Sequence, residues 1–543
     1  MGEAAVDRRG RRGGLGLSTV RDAAFDVFRR RDLTTLFSNP GSTEIPFLTD
    51  LPEDLDFVLG LHETAVVGMA SGYALARRRP SLVLLHTTAG LGNAVNAIAT
   101  CRVNRTPVVI LVGQQDRRHV AFQPFLTGQL RGLAGDYPVW VDEPLRAQSV
   151  PGAIERAYHE AETHRGPALV IVPMSDWAEE AGEAHESAAP QRVLRPPACD
   201  DASVAALASL IESAERPALV AGARMDTDER WAALVALAER LGCPVYQEAF
   251  SGQAGFPQDH PQWAGLLPFD RVRLRDTLEP YDTVVAFGAP VFRQSAYHAG
   301  PFTHRPTTLA VVTDDAEEVH RSQVELAVLG APELVARSLA ERVRARPRPE
   351  GRLFSPLPAP PDAPPLKAAH VLQALGDRLP EDVVIVEEAP SNQVELTQRI
   401  PARRPLGFVS AAMGGLGWGL SAAAGLRLGL PERPVVAILG DGATVFGAQG
   451  LWGAARYDAG ALYVVMKNGG YRIMDQLAAR QGGAPSWPSF DVDTAAIARS
   501  FGCEAVAIGD EEHLHTTLDD VVPGLRDRTS PLLLEITIEP DAV

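Results

Sequence analysis

Short apolar runs rich in valine, isoleucine and leucine recur along the whole chain. They do not alternate with polar residues, which predicts strands that are buried on both faces, as in parallel sheets. The runs are Ser81–His86, Val108–Gly113, Ala168–Pro173, Ala218–Gly222, Thr283–Gly288, Thr308–Thr313, Val383–Val386, Val435–Leu439, Leu462–Met466 and Leu532–Ile536. Stretches with helical periodicity lie between them, such as Val204–Glu215, Glu229–Leu241 and His370–Leu379. This alternation predicts an α/β protein built from doubly wound, mainly parallel sheets.

Two stretches without periodicity predict breaks between domains. Residues 178–202 are rich in Glu, Ala, Pro and Arg, and residues 345–366 contain eight prolines. Proline at that density blocks both helix and ladder formation and favours an extended spacer. The breaks predict three doubly wound domains, which are bounded as follows: a mobile tail at 1–17, domains at 18–185, 200–345 and 367–543, and a Pro-rich linker at 346–366.

Composition narrows the class of protein. The chain has 543 residues, and 45% of them are hydrophobic, which is enough apolar material for several cores. Its formal net charge of −17 disfavours a nucleic-acid backbone or an anionic membrane as the main partner, since both repel a negative surface. The uncharged stretch Phe408–Leu426 is long enough to span a membrane, but its glycines and alanines favour a cofactor loop that runs into a helix of small residues. Four widely spaced cysteines fit neither a metal knuckle nor a disulfide framework and favour a reducing cytoplasm.

Two neighbouring strand ends in the third domain carry oxygen ligands. The strand Val435–Leu439 is followed by Gly440-Asp441-Gly442, and the strand Leu462–Met466 by Lys467-Asn468-Gly469-Gly470. Both ends belong to the carboxyl edge of one sheet, where open α/β domains bind ligands. A carboxylate, an amide oxygen and a backbone carbonyl suit Mg²⁺, and a glycine-flanked helix start suits a diphosphate. The alternative is an ordinary turn with an Asp that faces solvent.

The same motif resembles the thiamin-diphosphate motif of the 2-oxo acid decarboxylases of the benzoylformate decarboxylase type. Further segments resemble that family in the same order: residues 37–47, 61–69, 85–94, 288–293 and 414–417. The resemblance implies pyrimidine-binding, central and diphosphate-binding domains, with thiamin diphosphate and Mg²⁺ as cofactors. It also implies a homodimer or homotetramer whose active site lies at the subunit interface. Lys467 stands where the family usually has a second Asn, which introduces a cation beside the metal site.

The resemblance also assigns cofactor contacts to particular residues. Glu63 would hydrogen-bond the aminopyrimidine ring, although a carboxylate in a first helical turn is also favoured by the helix dipole alone. Leu416, after Gly415, would wedge between the two cofactor rings; a core leucine in a glycine-rich turn is the alternative. Metal ligation is implied for Asp441, Asn468 and Gly470. The other implied contacts are Ser391, Asn392, Gly442, Ala443 and Tyr471.

Substrate chemistry is implied for a further set. Ser42 would bind the carboxylate of a 2-oxo acid, and His86 would assist proton transfer at the carbonyl-derived oxygen. Ser295 stands where the family has a second catalytic His, and His298 lies three residues further on. Arg472 either recognises a second anionic group or faces solvent, and the sequence favours neither. An apolar pocket wall, which indicates an apolar or aromatic substrate, is implied for Phe125, Leu126, Ile473, Met474 and Leu477.

The leading hypothesis is therefore a carbon–carbon lyase that decarboxylates a small 2-oxo acid to an aldehyde and CO₂. A carboligase that passes the same activated fragment to a second carbonyl compound is the alternative, and Ser295 favours it slightly. A third hypothesis is a non-catalytic protein that only binds the cofactor. FAD stays open, because some relatives bind it in the central domain, although residues 203–344 show no specific signature for it.

Overall fold

A computed structural model of the chain describes residues 18–182, 200–304, 306–354, 357–361, 364–484 and 487–539. The predicted tail at 1–17 lies outside these ranges, and so do parts of the two predicted breaks between domains. The described residues form three sheets, each of six strands, and every strand pair within them is parallel. The predicted α/β class with doubly wound parallel sheets is confirmed, whereas the domain limits stay predictions.

The first sheet has the strand order β2-β1-β3-β4-β6-β5. Its strands are β1 (Thr35–Asn39), β2 (Asp56–Leu59), β3 (Ser81–Leu85), β4 (Val108–Gln114), β5 (Trp140–Asp142) and β6 (Pro167–Pro173). Its helices are α1 (Val20–Arg31), α2 (Ile45–Leu48), α3 (Glu63–Arg77), α4 (Thr87–Val103) and α5 (Val150–His164). All residues of β3, β4 and β6 are buried, which explains why their sequences are apolar without alternation.

The second sheet has the order β12-β11-β10-β7-β8-β9. Its strands are β7 (Pro217–Ala221), β8 (Val245–Gln247), β9 (Trp263–Leu266), β10 (Thr283–Phe287), β11 (Thr308–Thr313) and β12 (Leu326–Leu329). Its helices are α6 (Asp201–Ser213), α7 (Asp228–Leu241), α8 (Arg271–Leu278), α9 (Ala316–Arg321) and α10 (Pro332–Arg342). Side-chain oxygens of Asp200 and Thr227 cap α6 and α7, so these helices begin where a capping residue precedes an apolar periodic stretch.

The third sheet has the order β14-β13-β15-β16-β18-β17. Its strands are β13 (Val384–Glu388), β14 (Phe408–Ser410), β15 (Val435–Gly440), β16 (Leu462–Lys467), β17 (Glu504–Ile508) and β18 (Leu532–Thr537). Its helices are α11 (Ala368–Gly376), α12 (Gln393–Arg399), α13 (Trp418–Gly429), α14 (Asp441–Gly447), α15 (Gln449–Arg456), α16 (Arg472–Arg480), α17 (Thr494–Ser500) and α18 (Glu511–Val521). Counted from its own first strand, this sheet repeats the order of the first sheet, whereas the second sheet differs.

Helices α3 and α13 join the first and third domains at very short range. A Cβ atom at Gly72 would lie 2.1 Å from the carbonyl oxygen of Ala422, and one at Gly425 would lie 1.9 Å from that of Met69. Glycine at these positions therefore lets the two backbones touch. Along the pair, Gly68 faces Ser421 while Gly429, at the far end, faces Ala76, so the helices run parallel. Both N-termini consequently lie at the same end of the pair.

The uncharged stretch Phe408–Leu426 divides between β14, a glycine-rich turn and the first part of α13. Among the described residues, no helix has both the length and the apolar character needed to cross a bilayer.

Candidate active site

Asp441 joins the two strand ends that the sequence singled out. It is the first residue of α14, directly after β15, and its carboxylate is buried. Its Oδ2 accepts hydrogen bonds from the backbone N–H of Gly469 at 2.8 Å and of Asn468 at 3.2 Å, and its Oδ1 accepts one from Gly442. Burial raises the pKa of Asp441, and these three N–H groups oppose that rise. The loops after β15 and β16 are thus held side by side.

A cavity opens where these loops meet the loop after β13. Eleven of its lining residues matter most for a ligand: Glu388, Ser391, Asn392, Leu416, Asp441, Gly442, Ala443, Asn468, Gly470, Tyr471 and Ile473. The structure therefore brings together most of the predicted cofactor contacts. Gly415 precedes the lining residue Leu416, whereas Glu63 is not among the described residues that line this cavity.

The residues of this cavity fit a diphosphate held through a divalent cation. Asp441 and the amide oxygen of Asn468 are hard oxygen ligands, and Asn468 Oδ1 also accepts the N–H of Gly470 at 3.3 Å. A Cβ at Gly442 would lie 2.8 Å from the ring of Tyr471, so the glycine keeps the cradle open. The described residues contain no cluster of three or more His, Cys, Asp or Glu side chains that could hold a metal. The implied metal ligands, Asp441, Asn468 and Gly470, do not form such a cluster, because they include only one carboxylate and otherwise supply amide and carbonyl oxygens.

Glu388 is a cavity residue that the sequence analysis missed. Its carboxylate is buried at the end of β13 and accepts the backbone N–H groups of Gly417 and Gly419 at the start of α13. Burial raises its pKa to about 8, against the lowering effect of these hydrogen bonds. Glu388 thereby fixes the turn that carries Leu416 to the cavity wall. A pair of glutamates directly after the apolar run Val383–Val386 was the available signal.

The turn before α13 also rests on the first domain. Gly414 and Gly417 adopt positive φ angles, which favour glycine. The carbonyl oxygen of Leu416 accepts a hydrogen bond from Asn96 Nδ2 on α4 at 3.3 Å. A Cβ at Gly415 would lie 2.3 Å from Asn96 Oδ1, so a side chain at this position would clash with α4.

Lys467 is neutralised by two carboxylates. Its Nζ lies 3.0 Å from Asp491 and 3.3 Å from Glu535 on β18. Burial lowers the pKa of Lys467, but the hydrogen bonds to Asp491 and Glu535 outweigh that effect and the pKa is raised. The other oxygen of Glu535 accepts the N–H and hydroxyl groups of Thr494. The expected cation beside the metal ligands is therefore balanced by local acidic groups.

Arg472 lies on the wall of the cavity and is tied to its own loop. Its Nη1 pairs with Asp475 at 3.0 Å, and its Nη2 donates to the carbonyl oxygen of Asn468 at 3.2 Å. Trp487 Nε1 donates to the same Asp475 carboxylate at 3.1 Å. The guanidinium thus supports the loop that carries Asn468, a role that neither sequence-based alternative included.

Glu63 is the first residue of α3 and its carboxylate is buried. Its two oxygens accept hydrogen bonds from Asn39 Nδ2 at 3.1 Å and Asn93 Nδ2 at 3.0 Å. Asn39 ends β1 and Asn93 belongs to α4, so the carboxylate sits between two elements of the first domain. The partner that a buried carboxylate requires is supplied by these two amides.

His86 and Ser42 lie at one point of the first sheet. His86 directly follows β3, and Ser42 lies in the loop after β1; the two strands are neighbours with parallel register. His86 Nδ1 lies 2.9 Å from Glu44 Oε2 and 3.0 Å from the hydroxyl of Thr43. Ser42 itself is exposed. The strand order reverses between β1 and β3, and such a switch point is where open α/β sheets bind ligands.

The predicted substrate wall is divided between domains. Leu126 lines a cavity beside Gln114 in the first domain, and Phe125 beside it is 87% exposed. Ile473 lines the third-domain cavity, and Met474 and Leu477 are partly exposed on α16. The described residues that line this cavity do not include Ser295 or His298; Ser295 is exposed, and its backbone N–H donates to the carbonyl oxygen of Phe269.

Three family models match the chain in order. They are the thiamine pyrophosphate enzyme N-terminal TPP binding domain at residues 18–133, the central domain at 204–339 and the C-terminal TPP binding domain at 389–536. Thiamine pyrophosphate is thiamin diphosphate under another name. The order of the three models agrees with the order of the three sheets.

Full-length relatives show the same likeness. Benzoylformate decarboxylase of Pseudomonas aeruginosa is 36% identical over 96% of this chain and 100% of its own length. The acetolactate synthase large subunit of Parasynechococcus marenigrum is 26% identical over 95% of this chain and 87% of its own length. The Rhodococcus jostii RHA1 thiamine diphosphate-dependent 4-hydroxybenzoylformate decarboxylase superposes with a TM-score of 0.91 at 32% identity, covering 96% of this chain and 100% of that one. Benzoylformate decarboxylase from Polynucleobacter necessarius also superposes with a TM-score of 0.91 at 32% identity, covering 97% of this chain and 99% of that one.

Proposed function

Because the chain belongs to the thiamine pyrophosphate enzyme family, we propose that it is a thiamin-diphosphate-dependent carbon–carbon lyase. It converts a benzoylformate-like 2-oxo acid, apolar or aromatic, to an aldehyde and CO₂. The observation that carries this proposal is the 36% identity to the Pseudomonas aeruginosa benzoylformate decarboxylase across the whole of that enzyme. The two 2-oxo acid decarboxylase structures with TM-scores of 0.91 support it.

The third domain would hold the diphosphate end of the cofactor. Asp441, the amide oxygen of Asn468 and the carbonyl of Gly470 would bind Mg²⁺. Gly442 supports this assignment, because it lines the same cavity as the proposed metal ligands and leaves space beside the ring of Tyr471. The remaining contacts would come from Ser391, Asn392, Gly415, Leu416, Ala443 and Tyr471.

The first domain would bind the pyrimidine end through Glu63, and a second copy of the chain would complete each site. Glu63 is not among the described residues that line the third-domain cavity of its own chain. Exposed apolar side chains follow or precede residues of both half-sites in the sequence, among them Leu61 two residues before Glu63 and Phe446 on α14, the helix that begins at Asp441. A partner that covers them would bury apolar area, which favours association. We therefore propose a homodimer or homotetramer with the active site between subunits.

When bound, the cofactor supplies a nucleophilic carbon and accepts the electron pair that stays on the substrate fragment when CO₂ leaves. The side chains of the protein orient the substrate and move protons. The exposed hydroxyl of Ser42 would bind the substrate carboxylate, and His86 beside it would transfer a proton at the carbonyl-derived oxygen. The pocket wall would exclude water from the reacting atoms, which strengthens the electrostatic interactions among them. It would comprise Phe125, Leu126, Ile473, Met474 and Leu477.

Carboligation is a second candidate, and Ser295 is the observation that favours it. The serine stands where the resembling decarboxylases carry a His, and it is exposed. Slower protonation of the activated fragment would leave more time for capture by a second carbonyl compound. The full-length likeness to an acetolactate synthase large subunit agrees with this possibility.

Product analysis separates the candidates. The cofactor-loaded protein is incubated with benzoylformate or pyruvate, with and without an acceptor aldehyde. Free aldehyde supports decarboxylation, a 2-hydroxyketone supports carboligation, and release of no CO₂ from a wide panel of 2-oxo acids would favour a protein that only binds the cofactor. Glu63→Gln is expected to abolish turnover while leaving the assembly folded; full activity in this variant would contradict the assignment of Glu63.

The cysteines support a proposal for the compartment in which the enzyme works. Cys101, Cys243 and Cys503 are free and buried, and burial raises the pKa of the Cys101 thiol to about 12. Thiols of this kind are compatible with a reducing compartment, and we place the enzyme in the cytoplasm with a small molecule as its substrate.

A further inference from the structure

Glu44 is a buried carboxylate that directly contacts His86. It lies in the loop after β1, three residues after Gly41, and is only 1% exposed. A buried carboxylate is costly unless hydrogen bonds or opposite charges compensate for the lost water. The groups that surround Glu44 therefore indicate what the residue does.

Three donors converge on the Glu44 carboxylate. Oε2 accepts the backbone N–H of Gly41 at 2.8 Å and lies 2.9 Å from His86 Nδ1. Oε1 accepts the hydroxyl proton of Thr43 at 2.5 Å. The same hydroxyl oxygen lies 3.0 Å from His86 Nδ1. Because Thr43 gives its only proton to Glu44, its oxygen can act towards His86 only as an acceptor.

This geometry fixes the position of the imidazole proton. Both atoms within hydrogen-bond reach of Nδ1, Glu44 Oε2 and Thr43 Oγ1, are acceptors, so Nδ1 must carry the hydrogen. The His86 side chain is 13% exposed, and among the described residues Nε2 has no hydrogen-bond partner. In the neutral ring, Nε2 is therefore the free nitrogen that can accept a proton.

Close packing holds the ring in this orientation. A Cβ at Gly41 would lie 2.4 Å from Cγ of His86, so the backbone of the β1 loop presses against the ring. A Cβ at Gly113 would lie 1.8 Å from Glu44 Oε1, so the glycine lets the carboxylate pack directly against the backbone at the end of β4. Three strand ends of the first sheet thus clamp one hydrogen-bonded pair.

We infer that Glu44 is a positioning residue that holds His86 as the Nδ1–H tautomer and directs Nε2 to the substrate. The inference rests on the proposed function, because it assigns to Nε2 the proton transfer at the carbonyl-derived oxygen. Glu44 is then the side chain that prepares His86 for this proton transfer. A carboxylate that orients a histidine base in this way also stabilises the positive charge of the ring while it holds the extra proton.

The test is a double-mutant cycle with Glu44→Gln, His86→Ala and the double variant. The assay follows benzoylformate decarboxylation by the cofactor-loaded protein. Glu44→Gln is expected to lower kcat about 10- to 100-fold, since general acid–base catalysis contributes at least that much. In the His86→Ala background the same substitution is expected to have no further effect. Equal losses in both backgrounds would show a merely structural role and overturn the inference.

Glu155→Gln provides the matched control. Glu155 is a buried carboxylate of the same domain, and it pairs with Arg30 and Arg31, not with His86. This variant is expected to keep kcat within about twofold of wild type at a temperature where it stays folded. The affinity for thiamin diphosphate, measured through the quenching of tryptophan fluorescence, should be unchanged in Glu44→Gln. A loss of kcat in Glu155→Gln as large as that in Glu44→Gln would count against a specific role.

A second measurement needs neither turnover nor a folded variant at position 44. In protein labelled with ¹⁵N-histidine, the His86 resonances are those missing from His86→Ala. Long-range ¹H–¹⁵N correlations at a pH where the ring is neutral should show a protonated Nδ1 in the wild type. A protonated Nε2 would overturn the inference. If the wild type shows the Nδ1–H tautomer but decarboxylates no 2-oxo acid, the proposed function fails while the orientation by Glu44 stands.

Discussion

Glu388 ends β13 and Asp441 directly follows the neighbouring strand β15, and their carboxylates have different tasks. Among the described residues, Asp441 is paired only with backbone N–H groups of its own and the adjacent loop, which leaves lone pairs for a cation. Both oxygens of Glu388 accept hydrogen bonds from the backbone N–H groups of Gly417 and Gly419, which they hold at the start of α13. The carboxylate of Asp441 can therefore bind a ligand, whereas that of Glu388 stabilises the turn that forms the cavity wall.

Replacement of Asp441 by Asn is expected to weaken metal-dependent cofactor binding. The amide lacks the charge that a divalent cation needs, and its NH₂ group would face the N–H donors of the loop. We expect the Kd for thiamin diphosphate in the presence of Mg²⁺ to rise about 100-fold, which corresponds to roughly 2.7 kcal/mol. This Kd is measured by titrating the protein with thiamin diphosphate and recording circular dichroism. Asp491→Asn, which alters an exposed partner of Lys467, is the control and should bind normally.

The placement of single residues was predictable where a sequence motif surrounds them and not where the fold alone brings them together. Asp441 and Asn468 stand in a motif with fixed spacing, and the structure does place them side by side. Glu44 and His86 are 42 residues apart, and only the pairing of β1 with β3 makes them neighbours. No local pattern signals that contact.

At the scale of elements, burial explains which strands the sequence revealed. The ten predicted apolar runs all coincide with strands, and these include the fully buried β3, β4 and β6. The strands without a predicted run are short or partly exposed: β1, β2, β5, β8, β9, β12, β14 and β17. Edge strands such as β2, β5 and β17 are covered less completely, so their residues need not form an uninterrupted apolar run.

Helix packing gives a prediction at this scale. Gly72→Ala and Gly425→Ala would each place a methyl group about 2 Å from a carbonyl oxygen of the partner helix. The helices α3 and α13 would have to separate, and we expect a loss of about 1–3 kcal/mol in the free energy of unfolding despite the better helix propensity of alanine. Urea unfolding measures it.

Gly152→Ala on α5 is the matched control for these substitutions. Apart from its chain neighbours and the backbone of its own helix, no heavy atom of the described residues lies within 4 Å of the position that its Cβ would take. This variant is expected to be unchanged or more stable by up to about 1 kcal/mol. If all three variants behaved alike, the close contact of α3 with α13 would be contradicted.

At the scale of the whole molecule, two adjacent residues connect the three domains. Asn104 bonds to the backbone of Ser410 and Ala412 in the third domain, and Arg105 pairs with Asp315 and Glu318 in the central one. These contacts set the first domain against both others. The sequence could not reveal them, since they depend on how finished domains meet. For the same reason, contacts with a partner subunit cannot be predicted from the motifs of a single chain.

The buried Glu248 predicts a pH dependence of the whole fold. Burial in the central domain raises its pKa to about 8, although Arg293 nearby opposes the rise. The folded protein therefore keeps a proton that the unfolded chain releases above its ordinary pKa near 4.5. The contribution to stability is complete below about pH 4.5 and is lost as the pH rises to about 8.

Thermal unfolding of the cofactor-free protein between pH 6 and 8 checks this. The Tm of the wild type should fall more steeply over that range than the Tm of Glu248→Gln, which cannot ionise. Glu53→Gln, at an exposed site, should retain the wild-type slope. Equal slopes for Glu248→Gln and wild type would contradict the burial of a protonated Glu248.

At the scale of the whole molecule we propose a thiamin-diphosphate-dependent 2-oxo acid decarboxylase, and isotope-traced product release tests this proposal most directly. The protein is stripped of cofactor, reloaded with thiamin diphosphate and Mg²⁺, and given benzoylformate labelled with ¹³C at the carboxyl carbon. We predict labelled CO₂ and benzaldehyde in equal amounts, both dependent on the added cofactor. Absence of labelled CO₂ from the reloaded protein, with benzoylformate and with other apolar 2-oxo acids, would contradict the account.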